Sequence, residues 1–130
     1  GWNNTKLGGY TPLAGAAVRG HWPVMELLLS AGADINTRCN QGNTPLGIAA
    51  ARGHHNIVRL LLEKGARIDN QDNEGNTPLI MAAHNGHRKV VQALIGNKAD
   101  LNIKNRKGRS ALSAAQDDTI RRLLKTSGAR

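Results

Sequence analysis

Residues 9–13 read GYTPL, residues 42–46 and 75–79 read GNTPL, and residues 108–112 read GRSAL. The spacing is 33 residues each time, and other marks keep the same register. Gly-His pairs stand at Gly20-His21, Gly53-His54 and Gly86-His87, and Gly-Ala pairs at Gly32-Ala33 and Gly65-Ala66. Asp-x-Asn recurs at Asp34–Asn36 and Asp100–Asn102. A period of this length predicts a solenoid of stacked units, because one unit so small buries its apolar face only against a neighbour.

Each unit has its own physical logic. Thr11, Thr44 and Thr77 occupy an N-cap position, where a hydroxyl accepts from free helix amides. Pro12, Pro45 and Pro78 follow at the first helical position, where a missing N–H costs nothing. A short helix then carries small residues such as Ala49 and Ala50, and Gly53 ends it. Ile57, Val58, Leu60, Leu61 and Leu62 give a second helix its apolar stripe, closed by Gly65 in the left-handed conformation. About eight polar residues then run out as a hairpin to the next Thr-Pro-Leu.

Thr-Pro-Leu-x-x-Ala-Ala, the Gly-His turn and Gly-Ala-Asp-x-Asn together resemble ankyrin repeats, over residues 3–129. The resemblance implies an all-α solenoid of paired antiparallel helices with short β-hairpin fingers. Residues 1–8 read as the hairpin remnant of a preceding repeat or an N-terminal cap, pointing to an array that continues upstream. Residues 9–41, 42–74 and 75–107 read as three repeats, and 108–130 as a shortened capping repeat with Arg121, Arg122 and Lys125 outward. A start at Gly rather than Met fits a piece of something longer.

The chain departs from the family pattern in places. The His usual after Thr-Pro-Leu is replaced by Ala14, Gly47, Ile80 and Ser113. Gly47 is expected to cost its helix about 1 kcal/mol against Ala. Lys98 stands where Gly would close the third unit's second helix, which puts that cap in question.

No enzyme motif is present: no Gly-x-x-x-x-Gly-Lys-Ser/Thr, no Gly-x-Ser-x-Gly and no His-Glu-x-x-His. His21, His54 and His87 belong to stacked units about 8–10 Å apart, too far for one metal ion, and read as turn-stabilising residues. No metal or cofactor is expected. Cys39 is expected exposed on a hairpin beside Arg38, and a single cysteine fits a reducing compartment, the cytoplasm or nucleus. Trp22 is expected to pack partly buried.

The resemblance implies a non-catalytic protein-binding module, monomeric and intracellular, that holds another protein or peptide on its concave side and fingers. Residues that break the repetition there are the candidates. The first unit offers Leu7, Tyr10, Val18 and Arg19; the second Arg38, Asn40, Gln41, Asn43 and Arg52. The third offers Asn73, Glu74, Asn76, His84 and Asn85, and the fourth Lys104, Arg106, Lys107 and Arg109. Tyr10 reads equally as an interface anchor or as packing under a preceding unit. The family also offers asparaginyl hydroxylation at Asn36 and Asn102, each with a Leu eight residues earlier, as an alternative to the favoured reading, that the same side chains brace the hairpins.

Charge singles out one finger. The net charge is +9, and residues 84–130 hold eleven Lys/Arg against three Asp/Glu. KNRKGRS at 104–110 occupies the position of QDNEGNT at 71–77. A cationic tip there, with Arg121 and Arg122 beside it, suits an acidic or phosphorylated segment, or a nucleic-acid backbone. The region has no aromatic platform for bases. The other reading is a solvated cap.

Overall fold

The computed structural model describes residues 11–130, so Leu7 and Tyr10 lie outside the described residues, as does the side chain of Asn40. Three helices start alike. Thr11 accepts from the Ala14 amide at 3.2 Å, Thr44 from Gly47 at 3.2 Å and Thr77 from Ile80 at 3.1 Å. These caps open α1 (Pro12–Arg19), α3 (Pro45–Arg52) and α5 (Pro78–His84). A single-turn α7 (Ala111–Ala114) opens with a reciprocal cap between Ser110 and Ser113. The second helices are α2 (Trp22–Ser30), α4 (His55–Glu63), α6 (Arg88–Gly96) and α8 (Asp118–Thr126). None of the described helices is long and apolar enough to cross a membrane.

The first helices stack as one layer, α1 on α3 on α5 on α7, and the second helices as another, α2 on α4 on α6 on α8. The core runs between the layers as columns of equivalent residues. Leu13, Leu46 and Leu79 form one, Ala17, Ala50 and Ala83 another, and Met25, Val58 and Val91 a third, all fully buried. Alanine columns let neighbouring helices approach closely, so close packing replaces the large aromatic core that this chain lacks.

Two histidines lock successive units together. The Nε2–H of His54 donates to the Val18 carbonyl at 3.1 Å, and that of His87 to the Ala51 carbonyl at 2.9 Å. Each ring lies over the glycine that ends the earlier helix. A Cβ on Gly20 would come 2.9 Å from His54 Nδ1, and one on Gly53 2.5 Å from His87 Nδ1. Both glycines also have left-handed φ, 68° and 79°. The histidines thus stabilise more than their own turns: each bond crosses to the unit before.

The fourth unit replaces this lock. Asp117 stands at the N-cap where the others have His, and accepts from the Ile120 amide at 3.1 Å. Its Oδ2 also accepts from Arg88 Nε at 3.0 Å and Nη2 at 2.8 Å. The Arg88 hydrogen bonds, and after them the Ile120 amide, hold this carboxyl below the usual aspartate range.

Several expectations change in three dimensions. The fingers contain no strand among the described residues: each is a tight turn, as where Asp72 N–H donates to Asn76 O and Gly75 N–H to Asp72 O. So few bonds make a turn but not a β-ladder. Gly47 is more than a weak helix residue, because Met81 Cε sits 3.1 Å from where a Cβ would be. Cys39 is half-buried against the core rather than exposed, with its Sγ 3.2 Å from the Asn43 carbonyl. Trp22 is 40% exposed, more than packing alone predicts. Lys98 closes α6 in the left-handed conformation itself, at φ 66°. Its neighbour Ala99 bonds back to Leu94 as Ala66 does to Leu61.

A β-carbon in that conformation is strained, so Lys98→Gly is expected to raise the unfolding free energy by about 1 kcal/mol in urea titrations. Asp117→Asn keeps the cap and removes the charge. Because folding depresses this carboxyl's pKa, its contribution is complete above the unfolded value near 3.9. The stability gap between wild type and Asp117→Asn is therefore expected at neutral pH, and to close as pH falls through the lowered native value.

Candidate functional site

The fingers stack because their tips carry glycine. Gly42, Gly75 and Gly108 have φ of 76°, 81° and 76°. A Cβ on Gly42 would meet Asn73 Oδ1 at 2.6 Å, and one on Gly75 the backbone N of Arg106 at 2.9 Å. With that space free, the Asn73 amide donates to Gln41 O at 2.9 Å and the Arg106 amide to Glu74 O at 3.0 Å. Arg38 Nη2 adds a bond to Gln71 O at 2.6 Å, and Gln71 Nε2 reaches Lys104 O at 3.3 Å. Backbone pairing between tips makes the row of fingers one stiff edge.

Asn105 organises the basic finger. Its Oδ1 accepts from the amides of Lys107 at 2.9 Å and Arg109 at 3.0 Å, and its Nδ2 donates to Asn76 Oδ1 at 2.9 Å. One unit earlier Asp72 accepts the equivalent pair, from Glu74 and Asn76, but has no N–H to offer. Asn43, the equivalent of Asn76, is left with a buried Oδ1 and no partner. Asp72→Asn keeps both accepted bonds and supplies the missing donor. It is expected to stabilise the protein by about 1 kcal/mol, read from denaturant midpoints at constant m-value.

Between the last two fingers and the first helices lies an open groove of about 420 Å³. Its floor is Ala51, Ile80, Met81 and Ala114. Asn73, Glu74 and Asn76 form one flank; Asn105, Arg106, Lys107 and Arg109 form the other; His84 and Asn85 border the α5 end. The single salt bridge among the described residues is Arg88–Asp117, so the cations of this finger carry no ion pair there. The site therefore joins a small apolar floor to a stiff tip with unneutralised positive charge.

Eight candidates meet in this groove: Asn73, Glu74, Asn76, His84, Asn85, Arg106, Lys107 and Arg109. Lys104 is exposed on the same finger, although it does not line the groove. The earlier units divide differently. Arg38 braces the next finger, Gln41 lends its carbonyl to the stack, and Val18 accepts from His54. Arg19 and Arg52 are exposed at the ends of α1 and α3, outside the groove. Asn85 also binds Ala51 O through Nδ2 at 2.9 Å. Asn36 Oδ1 accepts from the Arg67 amide at 2.9 Å and Asn102 Oδ1 from Arg130 at 3.0 Å, each reaching into the following stretch. Arg121 and Arg122 sit on α8 in the second layer and do not line the groove. The basic stretch is thus not one continuous lining. Sequence reading missed the floor, although bulky Ile80 and Met81 in place of Gly47 and Ile48 were its signal.

Comparison with known families supports the same architecture. Residues 1–72 match a family model described as Ankyrin repeats (3 copies), and residues 50–95 one described as Ankyrin repeats (many copies). Comparison with curated proteins gave no match. Ankyrin repeat domains are in general non-catalytic protein–protein interaction modules. With the first match spanning more than half of its length, and with helix pairs stacked in two layers, this chain belongs to the ankyrin repeat family.

Proposed function

We propose that this chain is an intracellular, non-catalytic recruitment module that binds another protein through the groove between its last two fingers. The observation that carries the reading is the junction of an apolar floor with unpaired Arg106, Lys107 and Arg109. A partner segment lays an aliphatic side chain on Ile80, Met81 and Ala114, and sets a carboxylate or phosphoryl group against the cations. Backbone bonds through Asn105 already hold that finger, so association orders little backbone, and the lost freedom that usually weakens binding is small. Glu74 on the opposite flank repels a second anion and favours one orientation. The lone Cys39, half-buried against the core, suits a reducing compartment.

The test selects binders from a displayed random-peptide library and measures each by fluorescence anisotropy. Two variants are compared with wild type after circular dichroism shows unchanged helicity. One carries Lys104→Glu, Arg106→Glu, Lys107→Glu and Arg109→Glu; the other carries Met81→Lys in the floor. Groove binders are expected to be rich in acidic residues flanking one aliphatic, and to weaken at least about tenfold in each variant. Peptides that bind both variants as tightly as wild type would move the site elsewhere. Affinity for any polyanion, RNA included, that collapses with salt and ignores Met81→Lys would replace a protein partner with a nucleic-acid one.

A further inference from the structure

Repeat symmetry lets one finger tip be compared with its equivalents. Residues 40–43 read NQGN, residues 73–76 NEGN and residues 106–109 RKGR. The last two tips are held alike: Asp72 accepts from the Glu74 and Asn76 amides, and Asn105 from the Lys107 and Arg109 amides. The Arg106 amide pairs with Glu74 O as the Asn73 amide pairs with Gln41 O. All these duties fall on backbone N–H groups, so the turn asks for no cation. The three cationic side chains serve no neighbour either. Arg106, Lys107 and Arg109 are exposed, and none makes a side-chain hydrogen bond or ion pair among the described residues. Asn76, the equivalent of Arg109, by contrast braces the next finger by accepting from Asn105 Nδ2 at 2.9 Å.

The charge of these side chains is not balanced inside the groove. Glu74 is the one acid of the lining, so with His84 neutral the groove keeps two positive charges. A carboxylate brings a single negative charge to meet them. A phosphorylated side chain brings about 1.5 to 2 at neutral pH, together with three strong acceptor oxygens. Two guanidinium forks, from Arg106 and Arg109, offer more donors than the two oxygens of one carboxylate accept comfortably. A phosphoryl group matches the groove in both charge and acceptor number. The floor separates a phosphorylated protein from a nucleic acid. Ala51, Ile80, Met81 and Ala114 give no aromatic face for a base, whereas they suit an aliphatic side chain.

We propose that the groove recognises a phosphoryl group carried by a side chain of the partner segment, with an aliphatic residue of the same segment on Ile80 and Met81. The inference rests on the groove being a protein-binding site, and adds that its occupancy follows the phosphorylation state of the partner. An unmodified acidic segment leaves one positive charge of the groove unmet and binds more weakly.

The test uses short, fluorescein-labelled, glycine-rich peptides that carry one Leu and, at varied spacing from it, phosphoserine, Glu or Ser. Anisotropy gives the affinities, and NMR amide shifts locate the site. At the best spacing the phosphoserine peptide is expected to bind at least about tenfold more tightly than the Glu peptide, with shifts centred on Arg106, Lys107 and Arg109. A variant carrying Arg106→Asn, Lys107→Glu and Arg109→Asn copies the tip of the preceding finger, which makes the same turn. It is expected to keep its helicity and to lose the preference for phosphoserine. Equal affinity for the phosphoserine and Glu peptides, both lost in the variant, would overturn the phosphoryl inference and leave the groove as an acidic-peptide site. Phosphoserine binding that survives in the variant would overturn it by placing the contact elsewhere. A short RNA that binds as tightly as the phosphoserine peptide would replace it with a nucleic-acid site. No binding by any peptide would remove the groove reading as well.

Discussion

Close approach without side chains is the constraint on which this stack rests. Gly20 and Gly53 leave room for an imidazole from the next unit, Gly47 for Met81, and Gly42 and Gly75 for the backbone of the next finger. Left-handed φ alone would favour glycine at the four turn positions, but space gives a second and independent reason. Asn or Asp, which tolerate the left-handed region, would still collide there. The polar bonds follow from this contact, since His54, His87, Asn73 and Arg106 reach the preceding unit only because its turn is bare.

Much of this fold was legible because a repeat tests itself. A Thr at one N-cap is a weak signal, but Thr11, Thr44 and Thr77 in register are a strong one, and all three cap a helix. Exceptions to the pattern were visible as letters but not as physics. Lys98 marked a missing glycine, yet only the backbone shows that the left-handed turn persists with a lysine in it. Gly47 read as a defect because helix propensity is local, whereas Met81 arrives from 34 positions away. Cys39 read as exposed because hairpins usually are; its burial depends on a core that sequence polarity does not display.

The site was half legible for a related reason. Residues that break the repetition do gather in one groove when they belong to the third and fourth units. Those of the second unit, such as Arg38 and Gln41, turned out to join fingers to one another. Sequence cannot separate these classes, because a bracing arginine and a binding arginine have the same composition and the same loop. What separates them is whether a neighbouring carbonyl takes the bond, as Gln71 O does for Arg38. Arg106, Lys107 and Arg109 carry no ion pair among the described residues.

Arg121 is exposed on α8 at the position, counted from the N-cap, where α4 and α6 bury Val58 and Val91. Gly86 has open space where Gly53 is filled, because the fourth unit carries Asp117 in place of the histidine that would lie over it. Asn105 ties the basic finger to the unit before it through Asn76 and holds the finger's own turn through the Lys107 and Arg109 amides. The cations of this finger are therefore held on a backbone that is bonded to the preceding unit, through the Arg106 amide to Glu74 O and through Asn105 to Asn76.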